Sequence, residues 1–215
     1  MDSMNIKHIW FDVAGTLYRE TPEFNIAHDQ HRYQTYATLK GISNIEQAKA
    51  EFEQLYKIHG SNSAVFTSLG QPSDYWMKAF EELDISNLLH PDPEVINTLT
   101  NLRSKVPISV FTNLKADKIK SLFKQLAIPL ELFTHVLSGD DVSQRKPALE
   151  GFKLMVETSG MPASQNLYIG DRVDVDIKPA KTVGMQTGLI YDDSPEADYT
   201  FDSFDQIYSI LKGNL

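Results

Sequence analysis

The apolar residues at the start of the chain do not follow a helical period. Residues 6–13, with Ile6, Ile9, Trp10, Phe11 and Val13, form a short β-branched and aromatic run that stops at Ala14-Gly15-Thr16. That pattern predicts a buried strand ending in a tight turn, with Asp12 at its carboxyl end. From about residue 18 to residue 89 the pattern changes to a helical one, as in the stretch 45–56, whose apolar positions recur three to four apart. No strand pattern interrupts it, so a helical insertion is predicted. His90-Pro91-Asp92-Pro93 punctuates the chain, because each proline disfavours helix in the residue before it. A helix follows over 94–103. Strands and helices then alternate: strand 108–111, helix 115–126, strand 134–137, helix 147–158, strand 166–169, helix 175–183, strand 186–190, and a closing strand and helix within 198–211. This order predicts an α/β fold, a parallel sheet with helices on both faces, which binds ligands beyond the carboxyl ends of its strands. Residues 1–17 and 90–215 are expected to form this core and residues 18–89 an inserted helical cap. Tyr33, Tyr36, Phe52, Trp76 and Phe80 sit at helical spacing in the insertion and are expected to form its core.

Composition narrows the chemistry. The formal charge of -9 repels polyanions as a whole, which argues against nucleic acid and anionic membrane as partners. An anionic substrate would need a local basic site. The absence of cysteine removes disulfides, thiolate metal sites and cysteine nucleophiles together. The six histidines are scattered, and none forms the close helical pair of a zinc site. No apolar run approaches membrane-spanning length and the first ten residues lack a cleavage pattern, so a cytoplasmic protein is expected.

Predicted strand ends share a chemical theme. Asp12 follows the first, Thr112-Asn113 the second, and Gly170-Asp171 with Asp176 the fourth, while Lys146 precedes the helix predicted from residue 147. Taken alone, each has an ordinary explanation: a turn-forming acid, a satisfied hydroxyl, a solvated lysine. Together at strand ends they make an oxygen-rich pocket suited to Mg²⁺, with the lysine and a hydroxyl to neutralise a phosphate. Asp174 and Asp140-Asp141 lack that registration. Asp174 is expected to be exposed at a helix start, although it is an alternative to Asp176 for the second acidic role.

These residues also resemble the motifs of the haloacid dehalogenase superfamily. Asp12-Val13-Ala14-Gly15-Thr16-Leu17 is similar to its first motif, Phe111-Thr112-Asn113 to the second, Arg145-Lys146-Pro147 to the third, and Gly170-Asp171-Arg172-Val173-Asp174-Val175-Asp176 to the fourth. The helical insertion resembles the family's type-1 cap. The resemblance implies a Rossmannoid core and a Mg²⁺-dependent phosphatase for small phosphorylated metabolites. It further implies that Asp12 becomes an aspartyl phosphate, and that Mg²⁺ is held by Asp12, the backbone carbonyl of Ala14 and Asp171. Thr112 and Lys146 would hold the transferring phosphoryl group, Asp176 would orient Lys146 or a metal-bound water, and Gly15 and Asn113 would lie at the substrate. The connections near Tyr18 and near His90 to Pro93 would be hinges for cap closure.

Ala14 departs from this pattern. Phosphatases of the superfamily place there a second aspartate, which protonates the leaving oxygen and then activates water. Such acid–base help is worth about 10²–10⁴ in rate. Three readings follow: a phosphatase impaired at residue 14; a phosphonatase-like C–P hydrolase using a cap lysine among Lys40, Lys49, Lys57 and Lys78; or an inactive protein that binds a phosphorylated ligand.

Overall fold

The computed structural model describes residues 5–84 and 88–215. Residues 1–4 and 85–87, assigned above to the core and to the insertion, lie outside the described residues. The chain divides into two compact units, Met1–Arg19 with His90–Leu215, and Glu20–Leu89.

The second unit is helical, with α1 (Pro22–Lys40), α2 (Ile45–His59), α3 (Asn62–Ser68) and α4 (Tyr75–Glu82). Its helices begin and end where the local chemistry directs. Thr21 accepts a hydrogen bond from the Phe24 amide to cap α1, Pro22 opens the helix, and Gly41 closes it in the left-handed region. Asn44 caps α2 in the same way, accepting from the amides of Glu46 and Gln47. The aromatic residues converge as expected: Phe52, fully buried, meets Tyr33 at 5.8 Å, Tyr36 at 5.6 Å and Phe66 at 5.7 Å between ring centroids. Trp76 stacks on Phe66 at 5.8 Å. Arg32 ties α1 to α2 by bonding Glu53 at 2.7 Å while its guanidinium lies over the rings of Tyr33, Phe52 and Tyr56.

The first unit carries β1 (His8–Phe11), α5 (Pro93–Arg103), β2 (Ile108–Phe111), α6 (Ala116–Gln125), β3 (Val136–Leu137), α7 (Leu149–Ser159), β4 (Asn166–Gly170), α8 (Lys178–Thr182), β5 (Gln186–Ile190), β6 (Tyr199–Phe201) and α9 (Gln206–Leu211). The strands form one parallel sheet in the order β3-β2-β1-β4-β5-β6. Every residue of β1, β2, β4 and β5 is buried, as a parallel sheet covered on both faces requires. On one face Trp10, Phe111 and Tyr168 pack with Phe152 and Met155 of α7 and Ala180 of α8. On the other, Phe11 meets Phe204 at 5.7 Å, ahead of α9. Each such side chain contributes roughly 1.5–3 kcal/mol by leaving water.

Some elements differ from their predicted limits. The first strand is shorter than 6–13, because Ile6 bonds to the Asn214 carbonyl instead of extending the ladder and Val13 already accepts the turn bonds from Thr16 and Leu17. The seventh helix begins at Leu149, since Ala148 is extended with ψ 144°. The predicted helix over 175–183 starts instead with a π turn, Val173–Ile177, that runs into α8. Among the described residues, no helix is long and apolar enough to cross a membrane.

At the amino end of β1, His8 is buried, stacks on Trp10 at 4.9 Å, and its Nε2 lies 2.8 Å from Ser109 Oγ. Burial, with help from His135 and Arg103, pushes its imidazole down to about 4. An unfolded chain therefore binds a proton between about pH 6.5 and pH 4 that the folded chain refuses, and stability is lost as pH falls through that window. The shift amounts to about 3 kcal/mol. Replacing His8 with Phe keeps the stack and removes the titration. Urea unfolding should therefore show the wild-type chain losing up to about 3 kcal/mol relative to His8→Phe between pH 7 and pH 4, and a constant difference would refute the assignment.

Candidate active site

The order of the sheet reverses at β1, whose neighbours are β2 on one side and β4 on the other. A crevice opens beyond the carboxyl ends of strands at such a point. Asp12 stands there directly after β1, with its amide still bonded to Ile169 O of β4 at 2.9 Å. Thr112 follows β2, and Asp171 follows β4. The π turn brings in Asp176: both its amide and that of Ile177 bond back to the Arg172 carbonyl. Gly170 makes room, since a Cβ there would collide with that of Asp176.

Lys146 sits at the centre. Its Nζ donates to Asp176 Oδ1 at 2.7 Å and Tyr168 Oη at 2.8 Å, and pairs with Asp12 Oδ1 at 3.0 Å. The side chain is buried to 1% exposure, as are its two carboxylate partners to within a few per cent. Burial works against the ammonium, yet Asp12 and Asp176 outweigh it and hold its pKa above the ordinary lysine value. Burial pushes the Asp12 carboxyl up, with Lys146 opposing. For Asp171, which pairs only weakly with Arg172 at 4.0 Å, burial and then the charges of Asp12 and Asp176 raise it to about 7.

This is a cluster short of positive charge. Ligand oxygens of Asp12, Asp171 and Asp176 all lie within 4.8 Å of one another. The buried Oδ1 of Asp171 has no hydrogen-bond partner. Gly15, at φ 76°, lets the first loop lie so close to Asp171 that any Cβ would run into its carboxylate. The main chain of residues 14 and 15 and the Asp171 carboxylate are thus neighbours. An all-oxygen donor set with an orphaned carboxylate oxygen fits a hard divalent cation.

The other candidates fall in distinct places. Thr112 is 2% exposed and accepts from the Leu114 amide. Asn113, expected at the substrate, uses both ends of its amide on the Lys146 main chain: Nδ2 donates to the carbonyl at 3.0 Å and Oδ1 accepts from the amide at 2.8 Å. It thereby ties the loop carrying Lys146 to the end of β2. Ala14 bridges Tyr18 across the turn. Asp174 is 81% exposed and pairs with Lys178, whereas Asp176 is fully buried against Lys146. Asp140 and Asp141 brace the loop after β3 by accepting from the amides of Ala116 and Ser138. Lys40, Lys49, Lys57 and Lys78 are all exposed, and none has the desolvating pocket of a Schiff-base lysine. Two residues near the carboxylates carried no assignment from sequence: Tyr168, whose hydroxyl touches Lys146, and Arg172, whose half-exposed guanidinium faces Asp171. Tyr168 lies between Leu167 and Ile169 and reads from sequence as core. Arg172, inside the fourth motif, offered the better signal.

With fold and site in place, comparison with known proteins defines the class. The profile of haloacid dehalogenase-like hydrolases matches residues 9–190, and the chain belongs to that family. It is 30% identical to the glyceraldehyde 3-phosphate phosphatase of Methanocaldococcus jannaschii, across 96% of this chain and 97% of that one. A phosphoglycolate phosphatase of Pseudomonas syringae is 25% identical across 83% of this chain and 67% of its own. The crystal structure of a haloacid dehalogenase-type phosphatase from Thermococcus onnurineus superposes with a TM-score of 0.72 over 97% of this chain and 99% of that one. At 24% identity that likeness establishes the fold. The relatives are phosphatases acting on small phosphorylated compounds, which supports the hydrolase class.

Proposed function

We propose that this chain is a phosphohydrolase of small phosphorylated metabolites, in which Asp12 accepts the phosphoryl group and Ala14 impairs its release. The observation that carries this reading is the buried Asp12–Lys146–Asp176 arrangement at the sheet's switch point, in a chain whose relatives are phosphatases. Asp12, Asp171 and the main-chain carbonyl of Ala14 would hold Mg²⁺, which when bound neutralises phosphoryl charge.

The chain's own groups do the rest. An Asp12 carboxylate oxygen forms a bond to phosphorus as the bond from phosphorus to the substrate's ester oxygen breaks. Lys146, held between Asp12 and Asp176, and the Thr112 hydroxyl face the equatorial oxygens, and phosphoryl transfer draws most of its rate from such positioning and charge. The departing alkoxide takes its proton from solvent, since residue 14 supplies none. Water must then attack phosphorus and release the Asp12 carboxylate without a base beside it. Both halves are slowed, the second at least as much as the first.

Phosphate release should be measured with Mg²⁺ on a panel including glyceraldehyde 3-phosphate and phosphoglycolate. Ala14→Asp is expected to gain about 10²-fold or more over the unaltered chain on at least one substrate, and Asp12→Asn to release none. An Ala14→Asp chain no faster than the unaltered one on every substrate would overturn the proposal.

A further inference from the structure

Lys146 has three N–H bonds and three oxygens around its Nζ: it donates hydrogen bonds to Asp176 Oδ1 and Tyr168 Oη and forms an ion pair with Asp12 Oδ1 at 3.0 Å. Two of these oxygens belong to carboxylates. The third, Tyr168 Oη, is neutral, and it is carried by a fully buried strand of the sheet. Tyr168 is fully buried in the middle of β4, packed edge-on against Phe152 at 5.2 Å and clustered with Trp10, Phe111 and Met155. It lies beside Trp10 in the ladder, two residues before Asp12, so its ring spans the distance from the sheet's core to the level of the site.

The hydroxyl's own proton has two places to go, Asp176 Oδ1 at 3.2 Å and Phe111 O at 3.3 Å. Because it accepts from Lys146, it fixes the ammonium without neutralising it. A lysine is a point charge on a flexible four-carbon stem, and two carboxylates alone would let it swing between them.

We propose that Tyr168 is a positioning residue: its hydroxyl anchors one N–H of Lys146 beneath the site, Asp176 anchors another, and the N–H facing Asp12 is the one left to pass to an incoming phosphoryl oxygen. The kinetic part of this inference rests on Asp12 being the phosphoryl acceptor. The placement of the lysine does not.

Tyr168→Phe removes one oxygen and keeps the ring, so its melting temperature should stay within a few degrees of wild type. With ¹⁵N-labelled lysine, the Lys146 ammonium should give a slowly exchanging signal, assigned by its absence in Lys146→Met, and Tyr168→Phe should speed that exchange about tenfold. With acetyl phosphate and Mg²⁺, the same variant should lower the maximal rate of Asp12 phosphorylation about tenfold while the half-saturating concentration stays unchanged. Phe152→Leu, which loosens the same cluster but keeps the hydroxyl, should lower the melting temperature more and leave ammonium exchange slow. The proposal is overturned by unchanged exchange in Tyr168→Phe, by an unchanged maximal rate, or by equally fast exchange in Phe152→Leu. If the wild-type chain is never phosphorylated, the phosphohydrolase reading fails, and the exchange measurement alone still decides the role of Tyr168.

Discussion

Incubated with acetyl phosphate and Mg²⁺, the chain is expected to gain one phosphoryl group on Asp12 and to keep it. Acetate is a good leaving group that needs little protonation, so the missing carboxylate at residue 14 matters least for this donor. Asp12 and Lys146 are in contact before any ligand arrives, at 3.0 Å. Hydrolysis of the aspartyl phosphate is a different matter, since it requires a water with a base beside it, a contribution of about 10²–10⁴ in rate. Intact mass spectrometry should show the added phosphoryl mass, with fragmentation placing it on Asp12. Asp12→Asn and chelation of Mg²⁺ should both abolish it. Ala14→Asp should turn acetyl phosphate over and show little of the adduct at steady state. A wild-type chain that turns over freely, with no adduct, would mean that another group has replaced the base.

Lys146→Met is expected to have the largest effect on stability. It leaves Asp12 and Asp176 buried with no lysine between them, and removing one partner from a buried ion pair costs about 3–5 kcal/mol. The pH dependence has a definite sign. Burial already raises Asp12, and Lys146 is the main influence holding it down. Without the lysine the folded chain binds protons that the unfolded chain releases above the usual carboxylate range. The loss relative to wild type should therefore be greatest near pH 7 and shrink towards pH 4. Urea unfolding without Mg²⁺ measures it, and a loss below about 1 kcal/mol at pH 7 would show that Lys146 does not compensate these carboxylates. Phosphorylation of Asp12 should be lost in the same variant.

Most of the fold was legible because its signals are local. The switch from helical to strand periodicity marks the passage out of the insertion, and Pro91 and Pro93 punctuate it two and four residues past Leu89, where the second compact unit ends. Asp12, Thr112 and Asp171 were legible because each is a polar residue at the end of an apolar strand, where burial alone gives it no reason to be. Tyr168 escaped for the opposite reason. Only the far tip of its ring is polar, and nothing in a run of buried strand residues tells which way that tip points. Asn113 is expected from sequence at the substrate, whereas its double bond to the Lys146 main chain, across 33 positions, has no local trace. The end of the π turn at Val173–Ile177, from Val175 on, reads from sequence as the start of an ordinary helix, because the two differ by a single hydrogen-bond step.

That π turn makes the candidate site depend on chain length as well as on residue identity. Advancing an α-helix by one residue rotates its side chains by about 100°. Deleting one residue from 173–175 would allow the segment to relax into plain α-helix, with every side chain still present. Asp176 would then leave the side of the helix that faces Lys146. A homologue lacking that residue could align well on both sides of the gap and carry the same acid, yet hold no second acidic group beneath its lysine.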